Sequence, residues 1–223
     1  MKSKLTIKNL IKEAQNFCIT ESKFENKDLY GVTDGKAVGT HIEHKFKNYL
    51  DKNYSTKIGS SANGIDLPSD NINTDIKVTS IKQPQSSCPF RNAKQKIFGL
   101  GYNLLVFVYD KRDDSKTKTS ILNFVSCSFI SKDRTADYTT TFRLREMVKD
   151  KANEEDIFAY LADRNIPADD TAISELSRQI LKTPPEQGYL TISNALQWRL
   201  QYQRIVDLDK KVNGIIRIVH KKK

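Results

Sequence analysis

Two aspartates and a lysine on neighbouring strand-like segments are the residues of this sequence best suited to do chemistry. Asp66 lies in Gly64–Pro68, and Asp75 and Lys77 lie in Asn73–Ser80. Alternate side chains of a strand point to opposite faces, so Asp75 and Lys77 share a face to which an adjacent strand can bring Asp66. Two carboxylates that face a core are costly unless a cation pairs with them. Hard oxygen ligands suit Mg2+, so the pattern predicts a magnesium site.

The acidic-x-Lys spacing alone is common, and its context decides how much it indicates. The chain contains seven such triplets, but only the one that starts at Asp75 lies on a strand pattern with an Asp-bearing strand just upstream. The alternative to a metal site is a surface salt bridge across a hairpin. Spacing and context leave both interpretations open.

Asp66 followed by Asp75-x-Lys77 resembles the motif of the PD-(D/E)xK nuclease superfamily. The surrounding stretch looks like a type II restriction endonuclease, and the resemblance covers the core from about residue 39 to residue 110. The sequence departs from the motif at Ile65, where the family has proline, and its second acid is Asp. The resemblance implies a restriction-endonuclease-like fold and the sequence-specific cleavage of double-stranded DNA.

The resemblance also implies an acidic residue on a helix before the first catalytic strand, and Glu43 fits that role. Glu43 is spaced to border the packing face that contains Phe46 and Leu50. The alternative is a glutamate at the rim of the helix that pairs with Lys47 at i+4. On the functional interpretation Glu43 is a further metal ligand.

The implied chemistry is Mg2+-dependent hydrolysis of a DNA phosphodiester. The carboxylates of Asp66, Asp75 and Glu43 are expected to hold the metal, which lowers the pKa of a bound water and neutralises charge on the phosphate. Lys77 is expected to orient or deprotonate the attacking water, or to stabilise the pentacovalent state electrostatically. The sequence leaves these roles of Lys77 open.

Hydrophobic periodicity predicts the elements that must position these residues. Helical spacing indicates a helix from Ile7 and a second one from about Thr40 to Asp51, with Thr40 as a possible N-cap. Further helices are expected near 91–98, 141–150, 154–163, 170–182 and from Ser193 to about Val206, and strands near 103–110, 120–130 and 214–219. We expect an α/β (α+β) fold in which helices flank a central mixed β-sheet, with a helical elaboration in the C-terminal half.

Length and charge favour one domain and a polyanionic partner. The 223 residues predict a single nuclease domain over 1–223, with a catalytic core at about 39–130 and the helical elaboration at about 138–185. A net charge of +10 favours nucleic acid as the partner. The sequence has no apolar run that would span a membrane, no secretion signal at its start and only three, widely spaced cysteines, so we expect a cytoplasmic protein.

Amide and basic side chains near the motif and in the last predicted helix are candidates for DNA contact. Lysines would meet backbone phosphates, whereas Gln and Arg side chains are suited to adenine and guanine edges. The candidates are Gln83, Gln85, Arg91, Lys94, Lys96, Gln197, Gln201 and Arg204. The alternative for each of them is an ordinary solvated surface.

The resemblance implies a homodimer, since two-fold paired active sites suit the cutting of both strands of a palindrome. The nearest enzymatic alternative is a DNA repair nuclease or a junction resolvase with the same core, which would favour branched DNA. A third alternative is a non-catalytic nucleic-acid-binding module in which the acidic cluster is only structural. Such a module would bind DNA without a divalent metal and would not cut it.

Overall fold

The computed structural model describes residues 2–56, 59, 64–88, 91–164, 166–193 and 198–221. Its strands are β1 Ser3–Lys4, β2 Tyr54–Ser55, β3 Thr74–Ser80, β4 Gln85–Cys88, β5 Asn103–Asp114, β6 Thr119–Ile130, β7 Thr191–Ile192, β8 Trp198–Gln201 and β9 Ile215–His220. Its α-helices are α1 Ile7–Glu21, α2 Gly35–Asn53, α3 Lys94–Phe98, α4 Tyr138–Lys149, α5 Glu154–Asp163, α6 Asp170–Lys182 and α7 Gln203–Val206.

A four-stranded mixed sheet of order β3-β5-β6-β9 forms the centre of the fold. Strand β3 runs parallel to β5, whereas β6 is antiparallel to both β5 and β9. The predicted mixed central sheet is thereby confirmed, but helices cover one of its faces and a second sheet covers the other. Strand β3 lies at one edge of this sheet.

Strand β5 is buried on both faces because a separate layer covers each of them. Leu105, Phe107 and Tyr109 pack under α1 and α2, in a cluster where the ring centroids of Phe46 and Phe107 lie 5.1 Å apart. Alternate residues of β5 pack on the other face against a second, three-stranded sheet of order β4-β8-β7. This layering explains the nearly continuous apolar run in the sequence of β5.

The C-terminal half contains the predicted helical elaboration. Helices α4, α5 and α6 begin and end within three residues of their predicted limits. Ile157, Leu161, Ile173 and Ile180 form the apolar core between α5 and α6. No helix among the described residues is long and apolar enough to cross a membrane.

Three predicted elements were wrong. The segment from Ser193 to Val206 is not one helix. Trp198–Gln201 forms strand β8, and the helix α7 covers only Gln203–Val206. Residues 194–197 lie outside the described part of the chain. Trp198 and Tyr202 are buried as expected, but a strand and a following turn bury them. Helix α2 begins at Gly35 with Asp34 as its N-cap, so Thr40 lies inside it. Gly64–Pro68 is a turn with one bridge, not a strand.

Candidate active site

Helix α2 carries Glu43 and Lys47 to the edge of the central sheet. Its side chains Val38, Ile42 and Phe46 are fully buried, which orients the helix on the sheet. At Gly39 the helix approaches β3 so closely that an added Cβ would lie 3.1 Å from the carbonyl oxygen of Val78. Glycine permits this approach, one turn before Glu43.

The loop before β3 holds Asp66 beside that strand. The backbones of Leu67 and Thr74 exchange two hydrogen bonds of 3.0 Å, which fix the loop next to the start of β3. The backbone N–H of Ile76 donates a hydrogen bond of 2.9 Å to Asp66 Oδ2. Asp66 is therefore positioned by a single β-bridge and a side-chain hydrogen bond, whereas the sequence predicts that a strand positions it.

Four charged side chains meet around Asp66. Lys47 Nζ lies 2.7 Å from Glu43 Oε1 and 3.0 Å from Asp66 Oδ1. Lys77 Nζ lies 2.7 Å from Asp75 Oδ2, and Asp75 shares a hydrogen bond with Asp66. The structure therefore brings Glu43, Asp66, Asp75 and Lys77 together, as the sequence predicts. The i+4 pair of Glu43 and Lys47 also exists, but Lys47 bridges Glu43 to Asp66 instead of leaving Glu43 at the rim.

The electrostatics of this cluster reflect crowded negative charge. Burial and the neighbouring carboxylate of Asp66 raise the pKa of Asp75 to about 7, against the opposing influence of Lys77. Burial likewise raises the pKa of Glu43, with a contribution from Asp66. Burial also disfavours ionisation of Asp66, but the hydrogen bonds from Asp75, the Ile76 amide and Lys47 lower its pKa below the ordinary value. Asp66 is thus the carboxylate that keeps its negative charge most firmly.

Both lysines of the cluster are held in the charged state. Burial disfavours the charge of Lys77, but the carboxylate of Asp75, helped by Asp66 and Glu43, raises its pKa above the ordinary lysine value. The pKa of Lys47 is raised in the same way by Glu43 and Asp66. In this arrangement the two ammonium groups offset only part of the negative charge of the three carboxylates. Among the described residues, no three metal-ligating side chains already surround a common point.

The candidate DNA-contacting residues are scattered over three places. Gln83 lies exposed in the turn after β3, while Arg91 and Lys94 are exposed at the start of α3. Gln85 on β4 is directly opposite Gln201 on β8. Gln197 lies outside the described residues.

Two of these candidates are not where the sequence predicts. Lys96 is only 5 % exposed, and burial lowers its pKa, so phosphate contact by Lys96 is contradicted. The short helix α3 buries Gln95, Lys96 and Ile97, which the charge pattern does not reveal. Arg204 lies on α7 with its guanidinium carbon 3.7 Å from the ring centre of Tyr138, and it does not share a helix face with Gln201.

Sequence reasoning missed two residues of interest. Lys47 was considered only as an ion-pair partner of Glu43, although its place one turn further along α2 could have suggested a second contact. Arg199 was not considered, because the segment that contains it was interpreted as a helix. The alternation of buried Trp198, Leu200 and Tyr202 with exposed Arg199 and Gln201 is the strand signal that identifies it.

The chain resembles known proteins over nearly its whole length. A family model described as "Type II restriction enzyme NspV" matches residues 4–217. A curated protein of Nostoc sp., named "Type II restriction enzyme NspV", is 50 % identical over 214 residues, which cover 96 % of each chain. No solved structure matches. These matches confirm the expected kinship with type II restriction endonucleases, and the chain belongs to the NspV family of type II restriction enzymes.

Proposed function

We propose that this sequence-specific DNA endonuclease hydrolyses phosphodiester bonds with Mg2+ held by Glu43, Asp66 and Asp75, and with Lys77 acting on the attacking water or the transition state. The observation that carries the proposal is the convergence of three carboxylates from a helix, a loop and a strand on one lysine-bearing edge of the sheet. A purely structural ion-pair cluster with two lysines has no need of a third acid.

The donor set suits a hard divalent cation. All three carboxylates offer oxygen ligands, as Mg2+ prefers. Asp75 is buried and its pKa is raised to about 7, so its carboxylate gains from any additional positive charge placed beside it. Because Lys47 now spans Glu43 and Asp66, a cation that uses both carboxylates competes with the ammonium of Lys47.

Lys77 and Asp66 have different roles beside the metal. When bound, Mg2+ lowers the pKa of a water and neutralises charge on the phosphate. Lys77, held by Asp75, directs a fixed positive charge at the face of β3 where the phosphate would lie, and a charge that is already in place stabilises the pentacovalent state without reorganisation. Asp66, anchored by the Ile76 amide, keeps its orientation and its ionised state as the substrate arrives.

Digestion of phage DNA by the purified protein tests this function directly. We expect discrete fragments with Mg2+ and none with a chelator. Asp75→Asn and Asp66→Asn should each fold but lose cleavage at ordinary Mg2+ concentrations, because each removes a negative oxygen. Asp70→Asn, the same change at an exposed aspartate of the same loop, should cut like the wild type. Cleavage by either catalytic variant would show that other carboxylates hold the metal.

The products also separate this function from its alternatives. A junction resolvase with the same core would spare linear duplex DNA and cut branched DNA without discrete sites. A non-catalytic module would bind DNA equally well with a chelator and would leave it intact. Discrete fragments from linear DNA exclude both.

The positive charge of the chain should make duplex binding depend strongly on salt. If about six phosphates are neutralised, log K falls against log salt with a slope of about −5. Lys94→Gln should flatten that slope by about one unit, because Lys94 is exposed. Lys96→Gln, two residues away on the same helix, should leave the slope unchanged because Lys96 is buried. Titrations at several salt concentrations in a chelator measure both, and a salt-insensitive affinity would contradict the polyanion argument.

We also propose that the enzyme works as a homodimer. The described residues of one chain supply one cluster of Glu43, Asp66, Asp75 and Lys77, and two-fold related clusters suit cleavage of both strands of a palindromic site. Sedimentation of the protein with and without a duplex that contains the cleavage site tests this. A monomer on DNA that still cuts both strands at once would contradict it.

A further inference from the structure

The outer face of the β4-β8-β7 sheet carries a row of polar side chains. The register places Gln85 opposite Gln201 and Ser87 opposite Arg199, and it places Thr191 of β7 opposite Gln201. Opposite residues of antiparallel strands point to the same side of the sheet. We call this surface the polar face, and it consists of Gln85, Ser87, Thr191, Arg199 and Gln201.

The buried face of the same sheet explains why these side chains must point outward. Trp198 and Leu200 of β8 pack with Cys88 of β4 and Ile192 of β7 in the second apolar cluster. Since side chains alternate along a strand, Arg199 and Gln201 are exposed by the burial of their neighbours. The polar face is therefore fixed to the core of the protein and does not lie on a free loop.

The side chains of the polar face have no bonding partner within the described part of the chain. No hydrogen bond or ion pair there involves the side chain of Gln85, Ser87, Thr191, Arg199 or Gln201. Arg204, by contrast, is stacked on Tyr138, and Gln203 donates to Asp207. Five unused polar side chains on one rigid surface are available for an external ligand.

Strand β4, which carries Gln85 and Ser87 of the polar face, lies next to the strand that carries Asp75 and Lys77. A four-residue turn joins β3 to β4, and the backbone N–H of Gln85 donates a hydrogen bond of 3.1 Å to the Thr79 hydroxyl. Strand β4 also lies in direct contact with β3. A duplex whose phosphate lies at Lys77 therefore passes beside β4.

The chemistry of the polar face matches base edges in a major groove. The groove admits a two-stranded β-ribbon, glutamine pairs with the edge of adenine and arginine with that of guanine. Opposite residues on paired strands have Cβ atoms about 5 Å apart, and base pairs stack at about 3.4 Å. Gln85 and Gln201 are thus spaced to contact neighbouring base pairs. The net charge of +10 draws the duplex to the surface.

We propose that the polar face reads the recognition sequence, with Gln201 and Arg199 of β8 as specificity-determining residues. The occupant is the major groove of double-stranded DNA. The inference rests on sequence-specific cleavage by the wild-type protein, which the Mg2+ experiment on phage DNA tests separately.

The test compares binding to two short duplexes, one with the cleavage site mapped on phage DNA and one with the same bases scrambled. Binding is measured in a chelator, so that no cutting occurs. Gln201→Ala should weaken binding to the site-bearing duplex about 10-fold or more, the discrimination of one bidentate contact. Its binding to the scrambled duplex should stay the same. Arg199→Ala should show the same selective loss.

Two matched variants control for charge and for the amide. Arg112→Ala removes a guanidinium that is 78 % exposed on the distant arm of β5, and Gln203→Ala removes an exposed amide outside the polar face. Both should bind the two duplexes with the wild-type ratio of affinities. Melting temperatures confirm that every variant is folded.

The outcomes decide the proposal. A loss confined to the site-bearing duplex in both β8 variants supports it. An equal loss on both duplexes would assign these residues to the phosphate backbone, and an unchanged ratio of affinities in folded variants would place base reading elsewhere, so either result would overturn it. Wild-type protein that never produces discrete fragments would instead refute the proposed function.

Discussion

Helix α2 takes part in two buried acidic networks that differ in how their charges are balanced. In the first, which we call the tyrosine network, Glu13 of α1 accepts hydrogen bonds of 2.6 Å from Tyr49 and 2.8 Å from Tyr54. These hydrogen bonds, led by that of Tyr49, lower the pKa of Glu13. The side-chain amide of Asn16 also donates to Glu13, so this one carboxylate is satisfied by three neutral donors.

The second network is the proposed catalytic cluster, which consists of Glu43, Lys47, Asp66, Asp75 and Lys77 and contains more acids than lysines. Three carboxylates share two lysines, and the pKa of Asp75 is raised to about 7, mainly by burial. Crowding that shifts ionisation in this direction has a cost in stability and is typical of functional sites. A buried acid with enough donors, such as Glu13, therefore does not by itself indicate function. A group of acids with too few positive charges to balance them does indicate function.

Removal of Lys77 should have the largest effect of these variants, and that effect should be on the rate of cleavage. We expect Lys77→Ala to reduce the single-turnover cleavage rate about 100- to 1000-fold, the effect of removing one group that stabilises transition-state charge. Binding to the site-bearing duplex in a chelator should be nearly unchanged, because Lys77 contacts no base edge. The exposed Lys82, in the turn after β3, gives the control variant Lys82→Ala. Near wild-type turnover in Lys77→Ala would end the assignment.

Removal of Lys47 tests whether the catalytic cluster lacks positive charge. Lys47→Met keeps the length of the side chain but leaves Glu43 and Asp66 without their shared ammonium. A lost hydrogen bond to a charged group destabilises by about 1.5–3 kcal/mol, so the melting temperature in a chelator should fall by several degrees. Added Ca2+ should then raise it more than in the wild type, because Ca2+ no longer competes with Lys47.

Lys45→Met is the matched change on the same helix, since Lys45 pairs with Glu21 outside the cluster. It should lower the melting temperature without altering the response to Ca2+. Equal responses to Ca2+ in the two variants would show that Lys47 does not occupy the place of a cation.

The tyrosine network should affect stability and not cleavage, and its contribution to stability should be lost in acid. Because the folded pKa of Glu13 lies below its ordinary value of 4.5, its ionised form stabilises the fold above that pH. This contribution is lost as the pH falls through the folded pKa. Glu13→Gln should therefore flatten the decline of melting temperature in acid and leave cleavage per folded molecule unchanged. A variant with the wild-type acid profile would contradict this account.

The sequence predicted the catalytic cluster better than the sheet that we propose to read DNA, and the reason is separation along the chain. Asp66, Asp75 and Lys77 lie within twelve residues, so alternation on one strand nearly places them. The role of Lys47 required the contact between α2 and the loop before β3. The burial of Lys96 required the packing of α3, which local charge cannot show.

The polar face was beyond sequence reasoning because it joins residue 85 to residues 191–201. Trp198, Tyr202 and Ile205 recur at i, i+4 and i+7, which favours one helix, but they are buried equally well by strand β8 followed by the short helix α7. The spacing of the apolar residues fits both a helix and a strand, and only the pairing of β8 with β4 decides for the strand.

The position of β3 at the edge of the central sheet has a consequence for the handling of this protein in solution. An uncovered edge strand is a template for self-association between copies. Here the carboxylate of Asp66 caps the amide of Ile76, and the Leu67–Thr74 bridge covers the strand's beginning. Asp66→Asn keeps an acceptor oxygen for that amide, whereas Asp66→Ala bares it. Inactive protein intended for concentrated samples with intact DNA should therefore carry the asparagine, since the alanine variant has the greater tendency to aggregate.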